Sequence, residues 1–123
     1  MAEKPRFIRT AGLAIFFALA IFILSSLPGA AVPQLGFRFG DKLLHLSEYG
    51  IFGFLLYRAF RGTSRPFLLT VLTGVIYAAS DEFHQLFVPG RYCDFWDFVA
   101  DAAGVALLGV IAGMFYRRVR NGN

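Results

Sequence analysis

The chemistry-bearing residues of this chain crowd into one stretch, Asp81-Glu82-Phe83-His84-Gln85-Leu86-Phe87-Val88-Pro89-Gly90-Arg91, followed by Asp94, Asp97 and Asp101. Carboxylates beside an imidazole suit general acid and base work, because neighbouring charges tune each group's proton affinity. A guanidinium just after a Pro-Gly turn suits bidentate capture of a phosphate or carboxylate. A second, shorter set lies upstream: Asp41, Lys42, His45 and Glu48. Asp41, His45, Glu48 and Phe52 follow i, i+4, i+7, i+11 spacing and so share one face of a helix. Asp94, Asp97 and Asp101 likewise share a face, descending about 10 Å from first to last at the helical rise.

These polar groups are flanked by apolar runs. Pro66 to Ser80 and Ala102 to Tyr116 hold no charge, and each has 15 residues. At about 1.5 Å per residue such a run spans about 22 Å, against a hydrocarbon core of roughly 30 Å. A crossing helix must therefore borrow polar neighbours, and the acids fall at or inside one membrane face, where ionisable groups are costly and usually functional.

Composition agrees. At 123 residues with 57% hydrophobic residues, 17% aromatic residues and a mean hydropathy of +0.59, a single integral membrane domain over 1–123 is expected. A soluble fold of this size has too little interior for so much apolar surface. The lone Cys93 excludes an internal disulfide and offers no metal spacing.

The net charge of +4 does not indicate nucleic acid. Nine of the twelve Lys and Arg (Lys4, Arg6, Arg9, Arg58, Arg61, Arg65, Arg117, Arg118, Arg120) fall at alternate ends of successive apolar segments, while seven of the eight acids fall at the other ends. That alternation is the positive-inside pattern.

The pattern predicts an all-α bundle of four transmembrane helices, about 11–27, 41–60, 66–87 and 94–116, with both termini cytoplasmic. Residues 1–10 read as a basic leader. Pro28-Gly29 stops the first helix, and Gly29-Ala30-Ala31 also resembles a signal-peptide cleavage site, the alternative for this segment. Residues 30–40 form an outer loop with Arg38 as its one charge. Pro66 opens the third helix, and Asp94 is placed to cap the fourth. Gly109 and Gly113 make a GxxxG match, read as packing within the bundle.

Three helices thus bring polar faces to the outer end. His45 is either a hydrogen-bonded neutral histidine or a general base or metal ligand. Asp101 is either held neutral, paired with Lys42 or Arg91, or a proton carrier. Glu82, Asp94 and His84 fit solvated or capping positions. Histidine with carboxylates suits zinc, manganese or iron, but His45-x-x-Glu48 has no second matching pair and no metal is assigned. Ser80 lies four residues from His84 without any nucleophile signature.

At these residues the chain resembles the VanZ-like family of bacterial membrane proteins. The resemblance rests on Ser25-Ser26-x-Pro28, Asp41-Lys42-x-x-His45-x-x-x-Tyr49, Asp81-Glu82-x-x-Gln85, Pro89-Gly90-Arg91, Asp94-x-x-Asp97 and Asp101-x-x-Gly104, spanning about 11 to 115. It departs at Asp101, where the family pattern more often has Asn. The resemblance implies a multi-pass protein of the bacterial cytoplasmic membrane and low-level resistance to the glycopeptide teicoplanin, with no established reaction or cofactor.

The expected function is a pocket that binds or modifies an envelope lipid or glycan precursor at the outer leaflet. Asp41, His45, Asp81 and Asp97 are the acid-base candidates. Lys42 and Arg91 would hold an anionic head group, with Glu48, Tyr49, Glu82, Gln85, Asp94 and Asp101 completing the binding set. The alternative is a non-catalytic membrane interaction or lipid-binding module. Ion passage is disfavoured, since the inner halves of the helices carry no relay of ionisable groups.

Overall fold

The computed structural model describes residues 4–32, 34–37 and 39–122, and for residues 4–7 the backbone alone. Arg38 lies outside the described residues. The chain forms four α-helices, α1 (Lys4–Ser25), α2 (Gly40–Phe60), α3 (Pro66–Gln85) and α4 (Phe95–Asn121), with one short 3-10 turn at Gly29–Ala31. No strand occurs among the described residues.

Helix ends follow local chemistry. The expected basic leader is helical from Lys4, since its Pro5 sits in the first turn, where no intrahelical N–H is required. α1 stops at Ser25, two residues before the expected end: the Ser26 Oγ donates to Phe22 O at 2.7 Å and Pro28 follows. Pro66 opens α3. Asp94 caps α4, its side chain accepting from the Trp96 N–H at 2.8 Å. α4 runs on past Tyr116, so Arg118 and Arg120 form its last turn and complement the negative end of the helix dipole.

α2 packs against all three other helices, most extensively against α4. Glycines set that distance. A Cβ on Gly104 would lie 2.4 Å from Leu46 O, and one on Gly53 would lie 2.6 Å from Val105 O. Gly109 and Gly113 of the GxxxG match face Thr70 and Tyr57 of neighbouring helices, so they serve packing within the bundle. The core beneath the polar end comprises Ala14, Ile21, Tyr49, Phe52, Leu56, Ala78 and Val105. At the basic end, Arg61 lies over the Tyr116 ring at 4.6 Å and ties α2 to α4.

Two helical stretches, Ile8–Ser25 and Phe95–Asn121, are long and apolar enough to cross a membrane by length and composition. Large side chains such as Phe16, Leu19 and Ile23 of α1 and Met114 of α4 point outward. α2, which carries Asp41, Lys42, Glu48 and Arg58, is not one of those two stretches.

Candidate functional site

The polar residues converge where the start of α2, the end of α3 and the start of α4 meet. Two connecting loops are stitched together beside them. The Gly29 N–H donates to Pro89 O at 2.9 Å, and a Cβ on Gly29 would sit 1.9 Å from Gly90 O. Gly90 itself has φ +72°, a backbone conformation that a side chain disfavours. The Pro-Gly turns after α1 and α3 therefore hold the two loops against each other.

The outermost cluster centres on Lys42. Its ammonium donates to Asp41 Oδ2 at 2.8 Å, to Asp94 Oδ2 at 2.8 Å and to Asp97 Oδ1. An ammonium has three donors, so Lys42 is saturated within the protein. Asp94 spends its second oxygen on the α4 cap, which links the start of α4 to the first turn of α2. The Lys42 hydrogen bond holds the Asp94 carboxyl below the usual carboxylate range.

Deeper in the bundle lies a second cluster. His45 Nδ1 is 2.8 Å from Asp101 Oδ1, and its Nε2 lies 3.6 Å from Asp97 Oδ2. Of the alternatives open for Asp101, a pairing with Lys42 or Arg91 does not form: its partner is His45. Asp101 is fully buried at 0% exposure, and Glu82 and Asp81 are 3% and 5% exposed. Glu82 Oε2 accepts from the Asp94 N–H at 3.1 Å, and the buried Tyr49 hydroxyl donates to Asp81 Oδ2 at 2.9 Å. The second oxygens of all three carboxylates, with Gln85 Nε2, have no hydrogen-bond partner among the described residues. Ligand atoms of His45, Glu82 and Asp101 all lie within 4.8 Å of one another.

A cavity of about 850 Å³ opens between α1, α2 and the loop that joins them. Phe17, Ile21 and Leu24 of α1 form part of its apolar wall, and Asp41, His45, Glu48, Gln85 and Arg91 supply its polar side. Of the residues singled out by sequence, these five face the cavity. Lys42, Tyr49, Asp81, Glu82, Asp94, Asp97 and Asp101 do not line it; they sit behind His45 or beside it in the two clusters.

The Ser80–His84 pairing does not form: the Ser80 Oγ donates to Tyr77 O at 2.7 Å. His84 instead meets Ser26 Oγ at 3.0 Å and stacks on Phe22 at 4.6 Å, pinning the end of α1 to α3. The contribution of α1 to the cavity was not read from sequence. The only hint was that Ser25-Ser26 and His84 lie at the same end of their helices.

A model of the VanZ/LLP1 family matches residues 6–116 of the chain. No curated protein and no solved structure matches it.

Proposed function

From the premise that the chain belongs to the VanZ/LLP1 family, associated with glycopeptide resistance, we propose that it binds, and acts on, an anionic envelope lipid or glycan-lipid precursor. The observation that carries this reading is the cavity, which joins an apolar wall on α1 to Asp41, His45, Glu48, Gln85 and Arg91. A lipid has the same division, with chains against Phe17, Ile21 and Leu24 and a charged head beside Arg91. His45 is the acid-base group within reach of a head group in the cavity. Asp97 and Asp101 orient it, and Asp41 and Glu48 flank the opening. Asp81, held by Tyr49, acts from behind. Lys42 spends its donors on three carboxylates, so in this proposal the anion-holding role passes to Arg91.

All four helices cross the bacterial cytoplasmic membrane, with both termini inside and the clusters at the outer face. The 21 residues of α2 and 20 of α3 reach about 30 Å at the helical rise, enough for the hydrocarbon core. Lys42 at the start of α2 and Asp81 and Glu82 at the end of α3 find partners on neighbouring elements of the bundle. Cys93 is exposed and is the only cysteine, which makes it a native reporter of topology: a membrane-impermeant maleimide labels it in intact spheroplasts. Protection of Cys93 until the membrane is permeabilised would reverse the orientation.

The function is tested in a deletion strain complemented with the native chain, His45→Ala or Arg91→Gln at matched protein levels, with lipid composition and teicoplanin sensitivity as readouts. The native chain restores both. Restoration by both variants to the same degree would overturn the reading.

A further inference from the structure

We propose that His45, Glu82 and Asp101 form a binding site for one divalent first-row transition-metal ion, such as zinc or manganese, with Asp97 as the outer partner of the His45 ring. The site does not depend on the lipid reading, since it follows from the cluster alone.

Three helices supply the ligands: His45 from α2, Glu82 from α3 and Asp101 from α4. Their ligand atoms already lie within 4.8 Å of one another. The edges of a tetrahedron built on bonds of about 2.0–2.1 Å are roughly 3.3 Å long, so side-chain rotations on the order of 1.5 Å close the set. One nitrogen and several carboxylate oxygens suit zinc, manganese or ferrous iron, and the absence of sulfur ligands disfavours softer ions.

An independent observation points to a ligand here. Asp101 Oδ2 and Glu82 Oε1 belong to side chains at 0% and 3% exposure, and neither atom has a hydrogen-bond partner among the described residues. Buried polar atoms are paired in the large majority of cases, and an orphaned carboxylate oxygen is more costly than a neutral group. The His45–Asp101 hydrogen bond accounts for Asp101 Oδ1 but leaves both of these oxygens without a partner among the described residues.

Charge balance reinforces the point. Asp81, Glu82 and Asp101 are three buried acids, and Lys42 has spent its donors on Asp41, Asp94 and Asp97. Among the described residues, the basic side chain paired with the inner acids is the His45 ring, on Asp101. A divalent ion held by His45, Glu82 and Asp101 would bring positive charge to two of these acids.

The His45 ring is also set up as a ligand. Its Nε2 lies 3.6 Å from Asp97 Oδ2, so only a small movement of the ring toward the ion would let it donate to that carboxylate. His45 lines the cavity as well, so the proposed ion is reached from that side. An ion there would act as a Lewis acid toward an anionic group in the cavity.

The test uses the full chain in detergent, purified without a polyhistidine tag, stripped with chelator and titrated with Zn²⁺ and with Mn²⁺. Bound metal is measured by mass spectrometry and thermal stability is followed in parallel. The native chain is expected to hold one ion and to melt at a higher temperature when loaded, because a ligand of the native state stabilises it. Glu82→Gln and Asp101→Asn weaken binding by roughly tenfold or more, as loss of a coordinating group requires. Cys93→Ser and His84→Ala bind as the native chain does, which separates the site from the exposed thiol and the other imidazole. The proposal is overturned if the folded native chain, helical by circular dichroism, binds neither ion stoichiometrically, or if Glu82→Gln and Asp101→Asn both bind like native. Because the native titration decides on its own, misfolding of a variant leaves the question answerable.

Discussion

The Lys42 and His45 clusters are built from the same materials, share Asp97, and differ in how fully their polar atoms are satisfied. Around Lys42, three N–H donors meet three carboxylates, and Asp41 and Asp94 keep 59% and 39% of their side chains exposed. Around His45, buried acids outnumber donors, and the second oxygens of Asp81, Glu82 and Asp101 remain unpaired among the described residues. A closed polar network rigidifies a bundle, whereas an open one buried away from water holds unspent capacity for a ligand or a proton. The first cluster is a clasp between α2 and α4; the second is where chemistry is expected.

Substitutions can break this contrast. The largest effect is expected from His45→Ala: at least a tenfold loss of the lipid or resistance readout in complemented cells at matched levels of folded protein. A large loss of folded protein instead would make the inner cluster structural. Lys42→Met should do the reverse. It strips three carboxylates of their shared donor and is expected to cost about 2 kcal/mol, read as a lower thermal midpoint.

Smaller effects sharpen the line between the clusters. Tyr49→Phe removes the donor to Asp81 and is expected to destabilise by about 1 kcal/mol, since interhelical hydrogen bonds in bilayers are modest. Asp94 adds a pH test. Its carboxyl is held low by Lys42, so its contribution is fully present above the unfolded carboxylate value of about 3.9 and is lost as pH falls through the lower folded value. The difference in midpoint between native and Asp94→Asn should therefore be flat from pH 8 to about 5 and shrink only below about 4. Asp41→Asn should change stability least, by roughly 0.5 kcal/mol or less, as for exposed ion pairs generally.

Much of this arrangement was legible in the chain itself. Apolar runs bounded by Pro28, Pro66 and Pro89-Gly90 delimit four helices, because proline and glycine stop or start helices by local sterics. The spacing of Asp94, Asp97 and Asp101 places them on one face, and the structure turns Asp94 and Asp97 to Lys42 and Asp101 to His45. Asp94 as a cap is likewise a local property. Helix ends slipped by a few residues at both termini because nothing in the sequence of α1 or α4 forbids further turns there.

Partner choice was not legible. Periodicity places a side chain on a face but not opposite a particular neighbour. Whether Asp101 meets Lys42, Arg91 or His45 depends on how far α2 and α4 slide past each other, and that register is decided by Gly53 and Gly104 touching the facing backbone. The cavity wall on α1 and the meeting of His45 with Glu82 and Asp101 arise in the same way, from contacts between residues tens of positions apart. Sequence alone determined which groups are polar, where helices stop and which end collects the acids, since those follow from local sterics and hydropathy. Tertiary packing alone decided which acid was satisfied and which was left with an unpaired buried oxygen, because that depends on distances between helices.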